Sequence, residues 1–258
     1  MAGAQNVPTN TAGNEENEMS FWSHLEELRS RIFKAMGAVL VCSIIAGFFI
    51  DFLMNEVLLR PAVQAKLQLQ NLRPFGQPFL YFKVVAIAGI ISAMPLILFQ
   101  LWRFIAPGLY EHERSWAGRI TFFTTVCFMG GIAFAYWVMI PGMLSFAASF
   151  GSSSIQNIID VNEYFGFMTT TLLGAGLIFE LPMITYILAR FGIITSTMMS
   201  TYRRHAIVVM LLIAAIITPS PDPINQLIFA APLYILYEIS IIIARVSARK
   251  TESTDDGK

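Results

Sequence analysis

The amino-acid sequence predicts an all-α membrane protein of six transmembrane helices, on three observations. Of its 258 residues, 55% are hydrophobic and 13% charged, with a mean hydropathy of +0.61, whereas soluble domains carry roughly 25% charged residues. Apolar runs long enough to cross ~30 Å of hydrocarbon recur along the chain. Lysine and arginine are distributed between the connecting segments as expected for alternating cytoplasmic and outer loops.

Residues 1–19, "MAGAQNVPTNTAGNEENEM", are polar and acidic. They lack both the basic start and apolar core of a signal peptide and the arginine bias of a transit peptide, and are expected to form a disordered cytoplasmic tail. The membrane domain should occupy residues 20–246, leaving 247–258 as a second cytoplasmic tail. Five spans are clear, at 32–50, 79–101, 120–140, 164–189 and 224–244. A sixth, 206–217, would reach only about 18 Å as a helix, short of the ~30 Å core. The three prolines of "TPSPDP" follow it at once and force a reversal, so 206–244 reads as a hairpin whose first helix is too short for a normal bilayer. Pro95, Pro141 and Pro232 imply bent helices. In the outer segment 51–78, Pro61, Pro74 and Pro78 argue for interrupted helix.

Orientation follows from the positive charges. With the N-terminus inside, 13 of the 17 lysines and arginines are cytoplasmic, and only Arg60, Lys66, Arg73 and Lys83 lie outside. Both termini are therefore assigned to the cytoplasm. The net charge of zero conceals this asymmetry, and nothing in the sequence points to a nucleic-acid partner.

No catalytic set is present: no phosphate-binding glycine loop, no HExxH, no paired-cysteine motif and no G-x-S-x-G elbow. The protein is not expected to be an enzyme or to hold a metal or cofactor. His24, His112 and His205 lie apart, each near a cytoplasmic helix end, without ligand spacing. Cys42 and Cys127 fall inside apolar spans and read as small packing hydrophobes.

The acids are more informative. Glu26 and Glu27 precede the first span, Glu111 and Glu113 occupy the first cytoplasmic loop, and Glu180 lies within the fourth span. A carboxylate can hold a guanidinium by two parallel hydrogen bonds. Glu26, Glu27 and Glu111 equally suit solvated charges paired with neighbouring arginines. Glu180 differs, because an ionisable group at mid-bilayer costs about 2.5–3.5 kcal/mol on insertion scales and normally faces a cavity or partner. Ten residues separate it from Arg190, or about 15 Å of helix. Pro182 removes the donor for the Ile178 carbonyl, and Gly174 and Gly176 permit close packing or a bend. The alternative is an interhelical hydrogen bond that only holds the bundle together. Glu238, near the end of the last span, suits a structural or interfacial role.

Four segments, "SHLEELRSRI" (23–32), "LWRFIAPGLYEHER" (101–114), "GLIFELPMITYIL" (176–188) and "TPSPDPINQLIFAAPLYILYE" (218–238), resemble the signature segments of the TatC family, receptors of the twin-arginine protein translocase. The resemblance implies a concave, glove-like bundle with the last two helices short, in a bacterial-type inner membrane. It implies binding of folded precursors through twin-arginine signal peptides, then recruitment of single-span TatA/TatB-type subunits and further TatC copies among the membrane lipids, with transport driven by the proton-motive force. By resemblance, Phe104 and Glu113 are the loop positions of signal recognition, with Glu113 as arginine acceptor. Leu25, Glu27 and Arg29 match the supporting "HLxELR" positions. Glu180 matches a buried glutamate facing the concave side, and Asp222 and Gln226 match positions of partner and assembly contact. The middle of segment 51–78 matches no motif.

Two other classes compete. An ion- or proton-coupled solute carrier would use Glu180 as its coupling group and predicts inverted repeats and a second deep polar site; the sequence shows neither. A scaffold that only organises other membrane proteins predicts that Glu180 and Glu113 are dispensable for precursor binding.

Overall fold

The computed structural model describes residues 12–105, 117–149, 158–217 and 223–255. In chain order it comprises α1 (Ala12–Phe48), α2 (Ile50–Phe52), a π-helical turn (Leu53–Leu59), α3 (Arg60–Gln64), β1 (Gln68–Gln70) and α4 (Gly76–Ile105). There follow α5 (Ala117–Phe134), a second π-helical turn (Ala135–Met139), α6 (Ile140–Ser149) and β2 (Ile158–Asp160). The chain continues through α7 (Val161–Ile178), α8 (Leu181–Arg190), α9 (Ser196–Thr201), α10 (Arg203–Ile217) and α11 (Pro223–Asp255).

Among the described residues, five helical stretches are long and apolar enough to cross a membrane: Leu25–Phe48, Gly76–Phe104, Ile120–Ser149, Val161–Arg190 and Gln226–Val246. The 15-residue α10 is shorter, at about 22 Å. Helix α1 packs chiefly on α4, α5 on α7, and α8 on α11. Apolar side chains such as Phe33, Leu40, Ile44 and Phe48 stay exposed on α1, as suits a chain whose solvent is hydrocarbon.

The structure departs from the sequence reading in four places. Helix α1 begins at Ala12 and α11 runs to Asp255, so residues 12–19 and 247–255 are helical where tails were expected; each extends a long helix already nucleated by its apolar part. For the same reason the last helix is not short, at 33 residues. It starts on Pro223, where a missing N–H costs nothing, and continues through Pro232. The third span outlasts its apolar run. Pro141 cannot donate an α-helical bond, and a π turn precedes it in which Ile140 N–H reaches back to the Ala135 carbonyl. The fourth span is two helices, broken at Phe179–Glu180.

Segment 51–78 folds into a compact cap. Its π turn, like the second, ends two residues before a proline, here Pro61. Met54, Leu58 and Ala62 are buried with Leu80, Ile140 and Tyr164. The extra carbonyls of the π turn are satisfied from outside it: the Tyr164 hydroxyl donates to Leu58 O at 2.7 Å, and Tyr136 donates to Val57 O at 3.1 Å. β1 then pairs in parallel with β2, Gln68 opposite Ile158 and Gln70 opposite Asp160.

Two helix ends show the same stop signal made with different residues. After α8, Gly192 at φ +69 lets Ile193 N–H reach Leu188 O and its own N–H reach Ala189 O. After α3, Lys66 adopts φ +56, with Leu67 N–H on Ala62 O and Lys66 N–H on Val63 O. Glycine is the usual residue in this left-handed position, so the second stop is the strained one.

Candidate functional site

The expected site residues fall into three places. At one end of the molecule, residues 25–31 of α1 lie beside the last turn of α4. Helices α1 and α4 run antiparallel and pack together, with a close approach at Ser43 and Gly89, where a Cβ on the glycine would sit 2.0 Å from Ser43 Oγ. Equal rises from that contact bring residues 27–29 level with Phe104. On this surface Leu25 is 39% exposed and Arg29 stands exposed over the Phe33 ring at 5.7 Å. Glu27 does not point freely outward: Arg31 Nε donates to its Oε1 at 3.0 Å, and a second nitrogen of the guanidinium reaches the same oxygen. Arg31 is itself only 15% exposed, so Glu27 serves first as a brace within α1.

Phe104 closes α4 and is half-buried. One turn below the helix end, Trp102 Nε1 donates to Thr124 Oγ1 on α5 at 3.1 Å, and that fully buried hydroxyl donates in turn to Ile120 O at 3.0 Å. This bond ties α4 to α5. The sequence reading missed it, since a Trp and a Thr 22 residues apart carry no local signal. Glu111, His112 and Glu113 lie outside the described residues, as does Asp222.

The second place is the break at Glu180. This residue caps α8 without a side-chain cap bond and is only 6% exposed. Its carbonyl accepts from Met183 N at 3.0 Å and Ile184 N at 2.9 Å, while its own N–H turns back to Leu177 O at 3.2 Å. Pro182 thus sits in the first turn of a new helix, where no donor is required. Glycines bring the neighbouring helices close together beside this break. A Cβ on Gly131 would meet Ala175 O at 2.7 Å, and one on Gly176 would meet the Phe128 ring at 2.6 Å, so α5 and α7 approach backbone to backbone. Phe134 and Phe179 pack at 5.6 Å between centroids, and Cys127 is a titratable neighbour of Glu180.

In these apolar surroundings Glu180 Oε1 has no hydrogen-bond partner. Thr171 Oγ1, on α7, is the other buried side-chain oxygen without one among the described residues. An unsatisfied buried polar group costs about 1–3 kcal/mol. Oε1 therefore contributes no hydrogen bond to the bundle. No group of histidine, cysteine and acidic side chains among the described residues could hold a metal ion.

The third place is the start of α11. Gln226 Nε2 donates to Leu211 O at 2.9 Å, pinning α11 to α10. At the far end of the same pair, Arg203 and Glu238 form an ion pair at 2.9 Å. The pair links Glu238 on α11 to the start of α10.

The chain matches the family model described as Sec-independent protein translocase protein (TatC) over residues 23–232. A protein of that name from Carboxydothermus hydrogenoformans is 38% identical over 231 residues, covering 90% of this chain and 95% of the relative. The TatCy protein of Bacillus subtilis is 34% identical, covering 92% and 93%. Among solved structures, one described as the twin arginine translocase receptor TatC superposes with a TM-score of 0.76 at 34% identity, over 87% of this chain and 99% of that one. A multi-pass membrane protein with these relatives is a protein translocase component, and the chain belongs to the TatC family.

Proposed function

We propose that this protein is the receptor of a twin-arginine translocase. It binds the arginine pair of a signal peptide at the surface formed by Leu25, Glu27, Arg29 and Phe104 together with Glu113 of the adjoining loop. In this reading α10 is a sixth, short span, both termini are cytoplasmic, and the helices present a concave face within a bacterial inner membrane. Glu180 lies at the inner end of the path and offers its carboxyl to an inserted signal hairpin or to a polar side chain of a single-span subunit. Asp222 and Gln226 face the assembly partners, TatA/TatB-type subunits and further TatC copies, and the proton-motive force drives transport.

The observation that carries the reading is the family match, because residues 23–232 take in the α1 motif, the loop and the Glu180 break together. Two features support it. Leu25 and Arg29 remain exposed one turn apart beside α4, and the Glu180 carboxyl is buried with one oxygen unused. The test is a photo-crosslinker at position 104 or 113 presented to a folded precursor. Labelling should require the arginine pair; equal labelling after Arg-Arg is changed to Lys-Lys and to Gln-Gln overturns the proposal.

A further inference from the structure

Trp102 and Phe104 share the last turn of α4 and leave it in opposite directions, since two residues at about 100° each put them roughly 200° apart around the helix. Gly89, which meets Ser43, marks the side of α4 that faces α1. Counted from Gly89 at the same angle per residue, Phe104 comes back to within about 60° of that side, whereas Trp102 stands about 140° away. Trp102 accordingly meets α5, its Nε1 donating to Thr124 Oγ1 at 3.1 Å. Arg103, between them, is exposed and lies over the Phe99 ring at 5.9 Å.

The acceptor is built to stay in place. Thr124 is fully buried, and its single hydroxyl proton is directed at the Ile120 and Thr121 carbonyls of its own helix, at 3.0 and 2.9 Å. Its lone pairs are left for a donor from outside α5, and the indole N–H, which can only donate, supplies it. The bond joins positions 22 apart, so it closes a segment that contains both Phe104 and Glu113. We propose that Trp102 and Thr124 are positioning residues for signal-peptide recognition. Their bond fixes the rotation of the last turn of α4, which turns Phe104 toward the Leu25 and Arg29 motif on α1, and it ties together the two ends of the segment carrying Glu113. Neither residue touches the peptide in this arrangement. The proposal rests on the receptor reading above and adds that the recognition surface is preorganised by a pair outside it.

The test uses the full chain in nanodiscs and a fluorescent signal peptide carrying Arg-Arg or Lys-Lys. Thr124→Val keeps the shape and removes the acceptor, and Trp102→Phe removes the donor. Each should weaken Arg-Arg binding about fivefold, the weight of one hydrogen bond, and narrow the preference over Lys-Lys. Thr124→Ser keeps the hydroxyl and should bind like the parent chain. Because both changes delete one bond, the double variant should bind no more weakly than either single variant. A purely structural bond would lower the thermal midpoint and leave the preference of the folded protein unchanged. Parental affinity and preference in both single variants, or losses that add in the double variant, overturn the proposal. A second readout needs no peptide: spin labels at exposed Met36 and Leu101, with Cys42 and Cys127 replaced by alanine, should give a distance distribution that Thr124→Val broadens and Thr124→Ser leaves sharp. An unchanged distribution in Thr124→Val overturns the positioning role. Equal binding of the two peptides by the parent chain, together with broadening in Thr124→Val, rejects the receptor reading alone.

Discussion

The cap built from residues 53–70 and the break at Glu180 are both places where proline interrupts a helix in apolar surroundings, and they resolve the interruption in opposite ways. In the cap, the π turn before Pro61 exposes carbonyls at Val57 and Leu58, and tyrosine hydroxyls from two other elements bond them. At the break, the backbone is re-satisfied by a tight turn, yet the carboxyl brought there keeps an oxygen with no partner. The fold can satisfy awkward polar groups when only structure is at stake. Where it leaves the Glu180 oxygen unsatisfied, the proposed function supplies the arriving partner.

The contrast breaks most completely if the backbone approach around Glu180 is disturbed. Gly131→Val should cost ~3 kcal/mol or more, since its Cβ would stand 2.7 Å from a backbone oxygen that cannot rotate away. Gly130→Ala, one residue earlier and facing open space, should be neutral or slightly stabilising. Thermal midpoints of the two purified variants in one detergent check this. Next in size, Glu180→Met should raise thermal stability by about 1–3 kcal/mol, because it removes a buried polar group that lacks a partner, while abolishing precursor export. A fall in stability would show that the carboxyl holds the bundle together.

Sequence reading located the five long apolar spans and Glu180, because each depends on composition or on an exception to it. An acid in an apolar run is visible without coordinates. Partnerships across the chain were not. Tyr136 and Tyr164 meet carbonyls about 80 and 106 positions away, and Gly131 matters only because Ala175 and Gly176 pack on it. The short strands could not be read either, since "QLQ" and "IID" are too brief to show alternation and exist only as a pair. Even the Arg31 brace on Glu27 was only one of several pairings open at that spacing.

Within the cap, a smaller effect follows. Tyr164→Phe should cost about 1–2 kcal/mol by orphaning Leu58 O at a buried site. Tyr136→Phe should cost less, because its two bonds are longer, at 3.2 and 3.1 Å, and one lies at an exposed carbonyl.

The smallest effect is a pH dependence confined to the cap. Asp160 ends β2 and caps α7, its Oδ1 accepting from Asn162 N at 2.6 Å. That bond foremost holds its carboxyl below the usual carboxylate range, helped by the Asn162 side chain, the Arg73 charge and the Leu72 N–H, against some desolvation. A carboxyl whose folded value is depressed contributes stability that is complete above its unfolded value, about 3.9, and is lost as pH falls through the folded value. Amide hydrogen exchange at residues 161–163 should therefore be flat from neutral pH down to about pH 4, after correction for intrinsic rates, and lose protection only below it. Asp160→Asn keeps an acceptor at the cap and should remove the acid step while leaving neutral-pH protection nearly intact. A step that persists in this variant would assign the titration to another group. Loss of protection at neutral pH would mean that charge, and not the hydrogen bond, holds strand to helix.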